Sequence, residues 1–469
     1  MHILNGLTLT PFEWTMSNEL SGSRMEFVFR LCCTGAIDVE IFNQAIANAL
    51  KQQPLLQANA TIGPTHSASY WRPASNLKPV IKWLDGNPAS GRGVANDCRP
   101  IELENEIGFR FYGWQYRLDD EPQTEMRFVF QHACCDGKGC FDFVEDVLLQ
   151  YKSLGEGRTD GAVRSYDFDR IVERDQHTPH SSTFVDRIWR TFVVRPKRAA
   201  NMLLTHPLSL GSKPENVELD FNEVPRQCSA TLSTEATEEL GVFAKTAGAT
   251  TNLVLARELF YVLGDYLERN GAKSEGSSGG KLVRMLIPFS LRNETHQAMP
   301  AINCVSMAYL ESKLDSLLHD NADSSDLLAD LVKQLAFIRR WKLQYSWIES
   351  IKSYAKLWPV IRLFKRQKGN RFSGLQIATT VLTNLGRVFS SGLLPVRDGR
   401  IKIGSLEIQT VHMVVPCNSK QSINFSVNFY GNRLTLDVSY LPSVVTQKAA
   451  QELVDSWQSR VLAAVQANN

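Results

Sequence analysis

The 469-residue sequence predicts an α/β fold (α+β in a two-layer arrangement) made of two comparable halves. Two observations predict it. Short apolar runs of strand type alternate with longer amphipathic runs of helix type in both halves. A weakly patterned polar stretch, from Gly155 to about Asn222, lies between them. Composition agrees: 43% apolar and 21% charged residues are ordinary for a globular chain and exclude a disordered, collagen-like or disulfide-scaffold protein. The resulting division is an N-terminal lobe (1–183), a crossover (184–222) and a C-terminal lobe (223–469).

The elements follow in order. Residues 26–36 read as a strand, with Phe27, Phe29 and Leu31 alternating. Ile37 to Leu50 reads as a helix with Ile41, Phe42, Ile46, Ala47 and Leu50 on one side, stopped by Gln52-Gln53-Pro54. A second strand, Glu125 to Gln131, leads through a short turn into a helix from Phe141 to Lys152. In the crossover, only Phe184 to Leu204 is amphipathic. Ser233 is placed to cap a helix, and Thr251 to Leu267 is strongly apolar and helical. Leu282–Phe289 and Gln376–Leu382 read as strands. Ser422–Phe429 and Leu434–Val438 read as a hairpin turning at Tyr430-Gly431-Asn432-Arg433, before a terminal helix from Ser443. The low-complexity patch Glu275 to Gly280 reads as a loop.

Net charge is +2, so the chain as a whole is no polyanion binder. Nine cysteines, an odd number with no CxxC, fit a reduced, cytoplasmic compartment. The N-terminal residues lack a basic segment followed by an apolar one, so no signal peptide is expected. No run of 18 apolar residues exists to cross a membrane as a helix.

The stretch that carries chemistry is Arg127-Phe-Val-Phe-Gln-His-Ala-Cys-Cys-Asp-Gly-Lys-Gly. Strand alternation puts Phe128, Phe130 and His132 on one face and turns Gln131 to the other. His132 stands where a strand ends and a Gly-containing turn begins, and imidazole can take up a proton near neutral pH. A strand-end histidine is more often structural. Here an apolar strand precedes it and an apolar helix follows. Asp136 is too far along the turn to be assumed a partner of the ring, and could instead pair with a cation.

This motif in this setting resembles the chloramphenicol-acetyltransferase-like acyltransferases. That superfamily includes peptide-synthetase condensation domains, BAHD acyltransferases, wax-ester synthases, and alcohol acetyltransferases together with polyketide-associated acyltransferases. Further stretches match in order: TLTPFEWTMSN (Thr8–Asn18), LKQQPLLQA (Leu50–Ala58), IPFSLRNE (Ile287–Glu294), TNLGRV (Thr383–Val388) and NFYGNRLTLDVSY (Asn428–Tyr440). The nearest branch is that of the alcohol acetyltransferases and polyketide-associated acyltransferases. The resemblance implies two similar lobes with a tunnel between them, and often a strand of the second lobe extending the first sheet. It implies His132 as general base, Asp136 as the organiser that pairs with an arginine, and Gly137 as the turn residue. Arg292 is the candidate arginine. Thr383 and Asn384 are candidate hydrogen-bond donors to an oxyanion, with a purely structural role in the turn equally open. Condensation domains carry His before the catalytic His; Gln131 in its place argues against that branch.

The implied reaction moves an acyl group from an acyl-CoA or acyl-carrier-protein thioester to a hydroxyl or amine of a lipophilic small-molecule acceptor. A thioester is already activated, so base catalysis and oxyanion stabilisation suffice without a covalent enzyme intermediate or a permanently bound cofactor. The rival is a condensation-like protein of a polyketide or lipopeptide pathway that works with a carrier protein, or only binds. Other motifs fail. GSSGGK (Gly276–Lys281) is one residue short of a P-loop, and no GxSxG occurs. The crowded spacing of His132, Cys134, Cys135 and Cys140 suits zinc poorly, so no metal is expected.

Residues 333–371 hold eleven Lys or Arg against one acid, Glu349, with Phe337, Trp341, Tyr345, Trp347, Tyr354, Trp358 and Phe364 interleaved. One reading is peripheral contact with an anionic membrane surface. Others are a core helix with a solvated basic face, or attraction of coenzyme A phosphates. No recognition module accompanies the charge, which argues against nucleic acid.

Overall fold

The computed structural model describes residues 2–17, 24–74, 77–88, 99–158, 164–177, 189–211, 223–271, 281–318, 324–368, 377–418 and 421–466. The Glu275–Gly280 patch, Asn18, Gln376 and the ends of two predicted segments (184–188 and 369–371) lie outside them. In chain order the strands are β1 (Glu26–Thr34), β2 (Ala58–Thr61), β3 (Tyr70–Pro73), β4 (Val80–Leu84), β5 (Phe109–Leu118), β6 (Glu121–Gln131), β7 (Arg226–Thr231), β8 (Leu282–Ser290), β9 (Val305–Lys313), β10 (Thr380–Arg387), β11 (Val396–Arg397), β12 (Arg400–Ile403), β13 (Leu406–Val414), β14 (Ile423–Tyr430) and β15 (Arg433–Tyr440). The first sheet has the order β11-β12-β13-β1-β6-β5-β4 and the second β7-β15-β14-β10-β8-β9, while β2 and β3 pair separately.

The helices are α1 (Pro11–Ser17), α2 (Val39–Leu50), α3 (Gly137–Gly155), α4 (Arg195–Leu204), α5 (Thr234–Thr246), α6 (Thr251–Arg269), α7 (Leu314–Leu318), α8 (Ser324–Arg340), α9 (Gln344–Lys368) and α10 (Gln447–Gln466). Side-chain caps start several of them: Asp38 accepts from Ile41 N, Ser233 from Ala236 N and Thr250 from Leu253 N. Phe42 of α2 and Phe143 of α3 pack on Phe109, Phe111, Phe128 and Phe130 of the first sheet, forming one core. Trp457 of α10, Leu259 of α6 and Phe425 of β14 belong to the second. The predicted hairpin is the β14–β15 turn, where Gly431 and Asn432 have φ of 58° and 59°, the left-handed pair that a two-residue type I′ turn requires.

Sheet membership does not follow chain order. Strand β13 comes late in the chain yet pairs antiparallel with β1 in the first sheet. The ladder between β12 and β13 pairs Ile403 with Leu406 and Lys402 with Glu407, so among the described residues no strand pairs with the far edge of β13 from residue 411 onward. Polar side chains of the second sheet satisfy that edge. Ser426 donates to the Met413 carbonyl (3.1 Å) and Asn428 to that of Val411 (3.0 Å). Asp437 accepts from Met413 N (3.2 Å), and Ser439 from Val415 N (3.0 Å). Buried backbone groups need such partners, and the ladder ties the two sheets together.

Next to it, His412 Nδ1 lies 2.9 Å from Asp437 Oδ1. Burial opposes charge on this imidazole, but the Asp437 carboxylate outweighs it and pushes the pKa up to about 9. A folded pKa above the unfolded value of about 6.5 means that the pair stabilises fully below that pH. The contribution is then lost as pH rises through 9. Urea midpoints are expected to fall between pH 7 and pH 9.5, and His412→Gln is expected to remove that dependence.

The basic stretch forms the second half of α8 and all of α9. Trp358 is buried and sits edge-on to Trp14 at 6.1 Å, while Trp347 packs on the first core and Trp341 on the second. Arg339 and Arg340 are exposed. These three tryptophans therefore pack inward, while Phe337 of the same stretch is exposed. A bilayer-docking surface would need these three tryptophans outside. Among the described residues no helix is long and apolar enough to cross a membrane.

Candidate functional site

Strand β6 ends at Gln131, and the chain turns before α3. Asp136 makes that turn and caps the helix: its Oδ1 accepts from Gly139 N at 3.0 Å. Sequence periodicity placed the helix start at Phe141; the carboxylate cap moves it to Gly137. Asp136 is 4% exposed and does more than cap. Arg292, just past the end of β8, meets it with two bonds, Nη1 to Oδ2 at 2.6 Å and Nη2 to Oδ1 at 2.8 Å. Cys304 N donates to Oδ2 at 2.9 Å. Burial alone would raise the carboxyl, but the Arg292 guanidinium and these hydrogen bonds hold it below the usual carboxylate range. One carboxylate thus joins the turn after β6 to two segments of the second half.

His132 stands at the head of this turn. Its ring is edge-on to Phe27 at 5.2 Å, and Phe27 in turn stacks on Phe130. His132 N donates to the Met25 carbonyl (2.7 Å). Asn303 Nδ2 lies 2.6 Å from the His132 carbonyl oxygen and 3.0 Å from Nδ1. Protein packs around most of the ring, and this poor solvation pushes its pKa below 6.5, against the opposing pull of backbone carbonyls and Asp136. The imidazole is therefore neutral at neutral pH. Gln131 turns away and holds the turn instead, accepting from Ala133 N (2.6 Å) and donating to the Met16 carbonyl (3.3 Å).

The free side of the His132 ring lines a cavity of about 150 Å³ between the two sheets. The first half contributes Met16, Met25 and Phe27. The second contributes Pro288, Val305, Met307 and Leu385, and the crossing strand adds Met413. Four methionines in the lining make an apolar surface that repacks easily. Asn418, Gln421 and Asn424 add a polar side.

The sequence-derived residues divide as follows. His132, Asp136, Gly137 and Thr383 all line the cavity, and Arg292 stands behind Asp136. A Cβ on Gly137 would come within 3.2 Å of Leu385 Cδ2, so the glycine keeps this wall open. Asn384 needs correction. Strand alternation sends it to the opposite side from Thr383, where it is exposed and bonds Gly386 N and Asn252. There it sits at the irregular stretch of β10 between Asn384 and Arg387.

Cys134, Cys135 and Cys140 are fully buried, and burial pushes their thiols well above the ordinary value. Sequence reading missed Asn303 and the role of Gly139, whose Cβ would meet Ala301 Cα at 3.2 Å. The signal available for Asn303 was a single polar residue inside the apolar run Ala301-Ile-Asn-Cys-Val305.

No protein-family model matches the sequence, and no curated protein matches it. Solved structures do. The starter condensation domain of rhizomide synthetase, in complex with C8-CoA and Leu-SNAC, superposes with a TM-score of 0.62 at 14% identity, covering 98% of this chain and 93% of its own. Polyketide synthase associated protein 5 from Mycobacterium tuberculosis gives 0.60 at 13% identity, covering 98% of each chain. The trichothecene 15-O-acetyltransferase of Fusarium sporotrichioides gives 0.61 at 15%, covering 97% of this chain and 94% of its own. The fold is the one that this condensation domain, associated protein and acetyltransferase have, over essentially the whole length.

Proposed function

We propose that this chain transfers an acyl group from a thioester, carried by coenzyme A or a carrier protein, to a hydroxyl or amine of a small lipophilic acceptor. His132 acts as the general base. The observation that carries the reading is a neutral, poorly solvated imidazole with backbone carbonyls of His132 and Cys135 as acceptors for one edge and an apolar cavity between two sheets facing the other. The fold neighbours add support: one is an acetyltransferase, and another is seen with an acyl-CoA.

In the proposed step the acceptor O–H or N–H gives its proton to His132 as the heteroatom attacks the thioester carbonyl. The tetrahedral intermediate collapses, the C–S bond breaks, and the proton passes from the imidazolium to the leaving thiolate. Thr383 supplies the hydroxyl on the cavity wall for the oxyanion. A donor of this kind typically contributes about 10²–10³-fold. Asp136 and Arg292 position the turn and do not touch the substrate. A cavity of about 150 Å³ is close to that of an engineered site able to hold benzene, so it suits a short acyl group.

The test is thiol release from acyl-CoA with a panel of alcohols and amines. Release that depends on an acceptor supports the enzyme, whereas acyl-CoA binding without turnover supports the rival, a condensation-like binding protein. Because the base must be neutral, and burial holds its pKa below 6.5, the acid-side fall of kcat/KM is expected to have its midpoint below pH 6.5.

A further inference from the structure

Beside the Asp136–Arg292 pair lies a cluster that the acyl-transfer reading does not use. His177, His296 and Cys304 each offer a ligating atom within 4.8 Å of the others. They come from three segments: the loop after the short helix Asp169–Glu173, the short helix Glu294–His296, and the entry to β9. All three are withdrawn from solvent. Cys304 is fully buried, His296 is 2% exposed, and the His177 side chain is 7% exposed.

Among the described residues, two imidazole nitrogens here, His177 Nδ1 and His296 Nε2, are buried with no well-formed hydrogen bond, the Arg174 carbonyl lying near the His296 ring. Buried polar atoms are ordinarily paired, and an orphaned one destabilises the fold unless a ligand takes it up. The two rings lie nearly parallel, 19° apart with centroids at 5.5 Å. The opposite nitrogen of His296 is fixed: Nδ1 sits 2.5 Å from Asn293 Oδ1 and 3.2 Å from Asn293 N. An outer partner of that kind orients a metal-ligating histidine.

We propose that His177, His296 and Cys304 form a zinc site of two imidazoles and one thiolate. The donor set selects the metal, since nitrogen and sulfur suit Zn²⁺ while Mg²⁺ and Ca²⁺ require oxygen ligands. Nearby cations do not forbid it, because each has its own carboxylate: Arg292 with Asp136, Arg174 with Glu13, and Lys352 with Asp175. The Arg174 carbonyl, which accepts from the Cys304 thiol at 3.8 Å, is released for a fourth position when that thiol gives up its proton. Binding exchanges the Cys304 thiol proton, released to solvent, for a Zn–S bond, so affinity rises with pH. Ligand atoms around tetrahedral zinc stand about 3.5 Å apart, from Zn–N and Zn–S lengths of about 2.0–2.3 Å. The three side chains must therefore close by about 1 Å. Doing so would pin the 169–177 and 294–304 segments together next to Asn303 and Asp136.

The experiment uses the full chain after chelator treatment, titrated with ZnCl₂, and separately with CoCl₂ as a spectroscopic probe. The expected result is one Zn²⁺ per chain, a melting midpoint raised by several degrees, and a cobalt form with a thiolate-to-metal charge-transfer band. His177→Ala is expected to weaken zinc binding at least about tenfold. Cys304→Ala, a small apolar replacement at a fully buried position, is expected to remove the charge-transfer band while circular dichroism stays native. Absence of stoichiometric zinc, a cobalt spectrum without the thiolate band, or affinity unchanged in both variants would overturn the site. None of these readouts requires acyl-transfer activity.

Discussion

His132→Ala is expected to lower acyl transfer by about 10²–10⁴-fold, the range a positioned general base supplies. The fold should survive. The ring lines a cavity, so its loss enlarges an existing space and opens no new hole in a core, and Asn303 keeps its bond to the His132 carbonyl. The loss should fall on kcat, with acyl-CoA binding retained, because the base acts on the acceptor proton. Thiol-release kinetics with a thermal-unfolding control make the measurement. Turnover like that of the unaltered chain would sink the assignment of the base.

Asp136→Asn is expected to destabilise the protein by about 3–5 kcal/mol, the usual cost of leaving one member of a buried ion pair alone. The substitution keeps shape but strips the charge facing Arg292, whose side chain is only 19% exposed. It also weakens the acceptor for Gly139 N and Cys304 N. Activity should fall with stability, since the same turn carries His132. The pH dependence has a definite sign. The folded carboxyl titrates below its unfolded value of about 3.9, so its contribution is present above that value and is lost as pH falls through the folded pKa. In the variant this part of the acid transition should be missing. Urea midpoints at pH 7 and pH 3.5, with Arg292→Met and the double variant, complete the cycle. Equal stability of Asp136→Asn and the unaltered chain at pH 7 would show that the pair does not hold the two halves together.

Much of the site was legible because it is local. A strand, a turn and a helix within Arg127 to Lys152 place His132, Asp136 and Gly137 through short-range geometry alone. Arg292 needed the resemblance, since nothing within its own segment says that it reaches a residue 156 positions away. Thr383 and Asn384 show the limit of adjacency. A strand offers only one of two neighbours to a given side, and which one it offers depends on what that side faces. Asn303 escaped because its partner is an atom of the turn holding His132, which its own neighbourhood does not reveal.

The sequence by itself determined the class, the two-half organisation, the β14–β15 hairpin and the chemical core of the turn. Periodicity, capping residues and a Gly-Asn turn act over a few residues, and local physics is enough to read them. Only the tertiary structure decided where β13 goes and why Ser426, Asn428, Asp437 and Ser439 are polar. Read along the chain, those alternating positions look like a solvent face. In the fold they are buried and hydrogen-bonded to the unpaired edge of a strand in the other sheet. The same holds for the cavity, whose methionines come from Met16 to Met413 and become one wall only when the sheets meet. A backbone edge without a strand partner arises from the packing of distant segments, so no window of sequence contains the demand that these side chains meet.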